Sequence, residues 1–395
     1  MFCIAKIVSK FELVCSVARR VAVHIVQCLC LLGAPAWAQE PPASTPSAPL
    51  EIPAGALPSV SPPPAQWIRA PRLTGRITAQ TLGLVINTAD PYSVAVGEYY
   101  IQRRGIPEGN VMRVNVPVKA RLSLDEFQAL DAQIRLMMPA RVQGLALAWS
   151  QPYAVECNSI TSALAFGFQP EICKQTCGAS VPSPYFTYTA DKPQTDLGLR
   201  PSMMIAARSV ENAKKLIDRG VAADASLPSL FLPAQAYFFS TSDGARSVRS
   251  RLFPPSGLMR PWGVEVQRQT ADALPSLHRA LLVQTGLASV PGLDKVEWLP
   301  GAVADHLTSF GGALDTLPGQ GQMSALDWIE SGATASYGTV TEPCNHWQKF
   351  PHPQLLLLSY IQGVTVLEAY WHSVAWPAQG VFVGEPLAAP FAPAF

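Results

Sequence analysis

The sequence predicts a three-layer α/β domain built on a mostly parallel sheet. Three observations carry that prediction. Short apolar runs recur with polar residues at their carboxyl ends: LGLVINTAD, GLALAWSQP, ATASYGTVTEP and VFVGEPL. Near-continuous apolar runs of this length suit strands covered on both faces. Helix-length segments with start and stop signals lie between the first of them, so residues 82–149 read as β-α-β-α-β. The composition agrees: 48% of the 395 residues are hydrophobic and 14% are charged, which suits a large buried core and excludes a disordered chain. The formal net charge of +1 gives no argument for nucleic acid or an anionic surface as a partner.

The N-terminal residues stand apart. Lys6, Lys10, Arg19 and Arg20 make a basic start, and residues 21–33 are apolar apart from His24 and Gln27. Ala36-Trp37-Ala38 then places small residues three and one positions before Gln39. This pattern predicts a signal peptide over 1–38, cleaved after Ala38, and an exported protein of the periplasm or extracellular space. The apolar run is shorter than the roughly 20 residues that span a bilayer, so no membrane span is expected in the mature chain. Residues 39–74, rich in Pro, Ser and Ala, read as a solvated linker. The α/β domain is expected over 75–395.

Within the domain, LGLVIN is a buried strand that Asp90-Pro91 ends. Ser93 opens a helix with Val94, Gly97, Tyr100 and Ile101 at helical spacing, Arg103 and Arg104 near its C-terminus, and Gly105 as its stop. Residues 110–116 form the next strand. Ser123 and Glu126 make a capping box for a second helix, and GLALAW is the third strand. Residues 151–200 break the alternation and read as an insertion, rich in Pro, Ser and Thr and pinned by a disulfide. MMIAAR is then a strand, VENAKKLIDRG a helix ending at Gly220, and QAYFFSTSD a strand, with residues 264–269 and 281–284 continuing the series. SALDWIESG is a further helix. Residues 353–374 read as one helix, apolar nearly all round and therefore buried, with Glu368 and His372 on one face as a hydrogen-bonded pair.

Cys157, Cys173, Cys177 and Cys344 remain once the leader is removed. An even number in an exported chain predicts two disulfides, with three pairings open. The alternative is a metal site on Cys344, His346 and His352, whose spacing matches no standard structural zinc pattern. No metal or other cofactor is expected, and the sequence holds no phosphate loop, GxGxxG or HExxH.

The candidate site is the stretch WLPGAVADHLTSFGGALD, residues 298–315. An apolar run ends there in Asp305, His306, Thr308 and Ser309, followed by Gly311 and Gly312. Ligands of parallel α/β sheets bind outside the carboxyl ends of the strands. His306, Ser309 and Glu342 together would suit nucleophilic hydrolysis. Asp305 would bind ligand, and Gly311 and Gly312 would line the floor with bare backbone N–H groups able to hold an oxyanion. Asp90, Ser93 and Ser150 also stand at strand ends and converge on the same crevice if the strands are neighbours; capping of helices and turns is their plainer role.

Several of these motifs (NTADPYSVAVGEYYIQRRGIPEGNVMRVNVP, AWSQPYAVECNSITSAL, ADHLTSFGG, GATASYGTVTEPC, and TVLEAYW with VFVGEPL) together resemble a family of exported bacterial proteins found in species that carry the exosortase membrane-sorting system. The resemblance covers roughly residues 82–391 and brings no established activity. It implies a role linked to envelope protein sorting or the extracellular matrix, with envelope proteins or the sorting system as partners. A second resemblance is to caspase-like peptidases of the gingipain type. Ser309 lies about where their catalytic cysteine would, and Gly384-Glu385-Pro386 stands in for their closing Gly-Asp-Pro-like motif. The chain lacks a cysteine before Gly311 and a His-Gly pair at the preceding strand ends, so this resemblance implies a relative that lost the cysteine chemistry or changed nucleophile. Two function classes result: a hydrolase or transpeptidase-like enzyme of the envelope, and a non-catalytic binding protein that uses the same crevice.

Overall fold

A computed structural model describes residues 66–227 and 231–393. The expected leader, its expected cleavage point and the expected linker up to residue 65 lie outside them. In chain order the elements are β1 Leu82–Asn87, α1 Pro91–Arg104, β2 Val111–Val114, β3 Arg121–Leu122, α2 Leu124–Met137, β4 Gly144–Leu147, β5 Ala154–Val155, β6 Asn158–Ser159, α3 Ile160–Phe166, α4 Pro170–Lys174, α5 Pro193–Leu197, β7 Ser202–Met204 and α6 Val210–Ala223. The second half continues with β8 Ala234–Ser240, β9 Gly257–Met259, β10 Val264–Thr270, β11 Leu277–Thr285, β12 Val296–His306, α7 Ala325–Ser331, β13 Ala335–Thr339, α8 Pro353–Tyr360, α9 Val366–Ser373 and β14 Gly380–Gly384. Among the described residues, eleven strands form one sheet in the order β2-β1-β4-β7-β14-β13-β12-β11-β8-β10-β9, and β3, β5 and β6 form a small second sheet.

The three-layer α/β class with a mostly parallel sheet is what the chain adopts. Two pairs of the large sheet are antiparallel, β9 with β10 and β13 with β14. The second of these divides the sheet into two parallel blocks. Strands β2, β1, β4, β7 and β14 run one way; β13, β12, β11, β8 and β10 run the other. Carboxyl ends of the two blocks therefore lie at opposite edges of the sheet. Helices cover both faces. Successive strand residues point to opposite faces, and the neighbours Asp305 and His306 show this: His306 meets Trp328 of α7, whereas Asp305 meets Arg249 on the side of α8. All six residues of β1 are buried, as its unbroken apolar run requires.

Local chemistry explains where elements begin and end, and corrects several boundaries. Asp90, not Ser93, caps α1, accepting from the Tyr92 N–H, while the Ser93 hydroxyl accepts from the Asn87 N–H. Gly105 ends α1 with φ 62, a left-handed conformation that glycine adopts without strain. The Ser123–Glu126 capping box is present. Helix α6 runs through Gly220 to Ala223 because Gly220 is an interior contact: a Cβ there would lie 2.5 Å from the Glu385 side chain. Residues 353–374 are two helices, not one. Gly363, at φ 89, breaks the path, and Thr365 restarts it through a capping box with Glu368. Glu368 and His372 consequently do not bond each other. The Glu368 carboxylate accepts from Ile77 and Thr365, and a His372 ring nitrogen lies 3.0 Å from the Tyr185 carbonyl.

The disulfides are Cys157–Cys173, inside the insertion, and Cys177–Cys344, which ties the insertion to the segment after β13. Cys344 is therefore spent on sulfur, which removes the first member of the alternative metal set. Residues 66–74, read from sequence as the end of the linker, are docked on the domain. The Gln354 side chain accepts from the Ile68 N–H and donates to the Gln66 carbonyl; Gln362 does the same for Leu73 and Pro71.

Candidate functional site

The loops that follow β8, β12 and β13 meet at one edge of the sheet, because those strands run in the same direction within one block. Between them is a cavity of about 340 Å³ lined by Ala245, Arg246, Leu307, Thr308, Ser309, Glu342, Cys344 and Asn345. Strand order reverses around β8, whose sheet neighbours β10 and β11 both follow it in the chain. The cavity thus lies at carboxyl strand ends close to a reversal of strand order, where open α/β sheets bind ligands.

Of the residues expected to form the site, Ser309 and Glu342 reach this cavity. Ser309 is partly exposed, and Thr339 Oγ1 donates to its carbonyl at 2.9 Å. Its own hydroxyl has no hydrogen-bond partner among the described residues. Glu342 accepts the Cys344 N–H at 2.7 Å. Cys344 itself has φ 55, in the left-handed region uncommon for residues other than glycine. Its disulfide to Cys177 and the bond from Glu342 hold this wall of the cavity.

His306 does not reach the cavity. It is fully buried, and both ring nitrogens are occupied. The Trp328 indole N–H can only donate, so Nδ1 accepts from it at 2.9 Å; Nε2 then carries the proton and donates to the Met323 carbonyl at 3.0 Å. Burial pushes the His306 pKa down to about 3, which keeps the ring neutral. The expected His306–Ser309 pairing is therefore absent, because the strand alternation turns His306 into the core under α7. Asp305 is corrected likewise. It forms a fully buried ion pair with Arg249 at 2.5 Å and accepts from Gln284 at 2.8 Å. Burial pushes its carboxyl pKa upward against the pull of Arg249.

Gly311 and Gly312 are not among the residues that line this cavity. They cross β13 at Gly338, where a Cβ on Gly338 would lie 2.2 Å from the Gly311 carbonyl carbon and 2.3 Å from the Gly312 nitrogen. The Gly312 N–H donates to Thr339 O at 2.9 Å, and the Gly311 carbonyl accepts from Ala325 at 2.6 Å. Three glycines thus allow backbone to pass over backbone and carry the chain into α7. Asp90, Ser93 and Ser150 belong to the opposite edge of the sheet. Ser150 donates to the Ala207 carbonyl, so all three serve local structure there.

Arg246 carries no signal in the sequence that marks it as a site residue, yet it is the cation of the cavity. Its Nη1 pairs with Asp243 at 2.7 Å and its Nε donates to Thr308 Oγ1 at 3.2 Å. Thr308 in turn donates to Gln322. Behind the opposite wall lies Lys349, whose Nζ donates to the Thr176 carbonyl beside Cys177. Burial lowers the Lys349 pKa to about 8, and Glu342 opposes that shift.

Compared with known families and with curated proteins, the chain matches none. Among solved structures it is similar to the crystal structure of the Arg-specific cysteine proteinase gingipain R, at 10% sequence identity and a TM-score of 0.38 over 79% of this chain and 78% of that one. A likeness at this level assigns no activity.

Proposed function

We propose that the chain is an exported, non-catalytic binding protein of the bacterial envelope that holds a small amine-bearing ligand between Arg246 and Glu342, beside Ser309. The pairing state of the two charges carries this reading. Arg246 is braced by Asp243 and Thr308. The partly exposed Glu342 makes no ion pair among the described residues and commits one oxygen to the Cys344 N–H. A braced guanidinium and an unpaired carboxylate in one small cavity suit a ligand carrying both charges, such as an amino acid or a dipeptide. Hydrolysis has less support: the cavity residues around Ser309 include one carboxylate and no histidine. The resemblance to the exosortase-associated family supports the envelope setting and envelope proteins or the sorting system as partners.

Calorimetric titration with glycylglycine and with free amino acids tests the reading. Binding should weaken about tenfold, the equivalent of about 1.4 kcal/mol, in Glu342→Gln and in Arg246→Gln, and change little in Ser309→Ala. A fluorophosphonate probe that labels the native chain but not Ser309→Ala would replace the binding protein with an enzyme. The export component is tested separately. N-terminal sequencing of the cellular product should begin at Gln39, and a product that keeps Met1 would refute export.

A further inference from the structure

A second surface lies away from this cavity, at the free edge of the sheet. Strand β9 is the outermost strand, and the short turn after it carries Arg260 and Trp262. Residues at the start of the described chain dock beside it through Gln354. Together they line an open groove of about 500 Å³ formed mainly by Trp67, Leu258, Met259, Trp262 and Leu358, with Arg260 at its side. Trp67 is 39% exposed, Trp262 42% and Leu258 47%, and Ile68 beside them is 38% exposed. Single exposed apolar residues are ordinary, but a contiguous patch with two tryptophans is an interaction site.

Three arginines around the groove are unused. Arg260, exposed Arg69 two positions after Trp67, and exposed Arg251 beside Leu252 make no hydrogen bond or ion pair among the described residues. Leu252 adjoins the groove, since its carbonyl shares the Gln354 amide with Gln66. Glu265, opposite Leu258 in the β9–β10 pairing, is held by Gln235. The whole-chain net charge of +1 conceals this local excess.

We infer that this groove and its arginine rim dock the protein on an anionic lipid surface. Tryptophan rings settle at the boundary between headgroup and acyl chain, where one end of the ring is wet and the other dry. Leu258, Ile68 and Leu358 add aliphatic area that an acyl boundary covers and that a sugar polymer would leave in contact with water. Each arginine near an anionic leaflet raises partitioning about fivefold.

Co-sedimentation of the exported chain with vesicles of phosphatidylglycerol and phosphatidylcholine at low salt tests the inference. The native chain should sediment with these vesicles and much less with phosphatidylcholine alone. Trp67→Ala with Trp262→Ala should reduce binding about tenfold or more, and Arg260→Gln should reduce it about fivefold and weaken the preference for phosphatidylglycerol. Both variants alter exposed side chains, and unchanged thermal unfolding verifies the fold. Oxidative footprinting gives a site-specific second readout, independent of any leader left on the chain: vesicles should protect Trp67 and Trp262 from oxidation. Failure of the native chain to sediment, or vesicle binding with Trp67 and Trp262 unprotected, overturns the inference. So does binding to dextran sulfate that needs both tryptophans while vesicles are ignored.

Discussion

At the scale of single residues, the site stretch separates into two chemistries that look alike in one dimension. His306 and Ser309 are three positions apart, both polar and both at a strand end. One is a neutral ring locked between Trp328 and Met323, and the other is a free hydroxyl at a cavity wall. The difference is that His306 is the last residue of β12 and faces α7, whereas Ser309 lies in the turn beyond the strand, and neither can be read from composition. Buried neutral histidines have a measurable consequence. Burial lowers His306 to about 3 and His352 and His372 to about 4, against about 6.5 for an unfolded histidine. The folded state then binds fewer protons than the unfolded state. Their contribution is complete above pH 6.5 and is lost as pH falls toward 4 and then 3. Glu368 opposes them: burial raises it to about 7, so its contribution is lost as pH rises from about 4.5 through 7. The three histidines outweigh Glu368, and Asp305 and Asp224, whose carboxyls burial raises, reduce the surplus. Urea midpoints should therefore fall between pH 6.5 and 4.5. Equal or rising midpoints across that window would mean that the histidines are charged, or solvated, in the folded state.

At the scale of elements, apolar runs mark strands well because burial on both faces demands them, and capping chemistry marks helix starts where side chains bond locally, as at Ser123. Glycine is where such reading fails, since its meaning lies in what approaches it. Gly105 ends a helix, Gly220 sits inside one against Glu385, and Gly363 splits an apolar run into α8 and α9. Gly311 and Gly312 suggest an open floor, yet they form a crossing with Gly338, a residue the sequence does not single out. That crossing is a tight constraint. A methyl group on Gly338 would meet backbone atoms of Gly311 and Gly312 within 2.4 Å, and backbone cannot rotate away as a side chain can. Gly338→Ala should therefore destabilise the domain by about 3 kcal/mol, the upper end for overpacking, and shift Ser309 at the cavity wall. Gly319→Ala is the comparison for a glycine whose Cβ would meet no atom within 4 Å; it retains a strained φ of 78, so it should cost only about 1 kcal/mol. Similar unfolding midpoints for the two variants would show that the crossing loop moves freely.

For the whole molecule, strand order and strand direction decide which polar ends meet, and these depend on contacts far apart in sequence. The antiparallel placement of β14 against β13 sends the ends of β1 and β4 to one edge and those of β12 and β13 to the other. That single pairing separates Asp90, Ser93 and Ser150 from Ser309 and Glu342. It also hides Arg246, whose relevance depends on β8 lying two strands from β12. The cysteines make the same point, because spacing alone leaves three pairings while the fold selects one. Cys157–Cys173 closes a separation of 16 residues and Cys177–Cys344 one of 167. If a disulfide acts by restricting the unfolded chain, the short bridge contributes about 3 kcal/mol and the long one about 5. The long bridge also fixes Cys344, next to Glu342 and Asn345 at the cavity wall. Replacing Cys177 and Cys344 by serine should therefore lower stability in urea more than replacing Cys157 and Cys173, and should weaken dipeptide binding as well. The short-bridge variant should lose stability while keeping its binding. If the long bridge proves no more stabilising than the short one, loop closure does not govern the effect, and residual structure in the unfolded chain sets the difference.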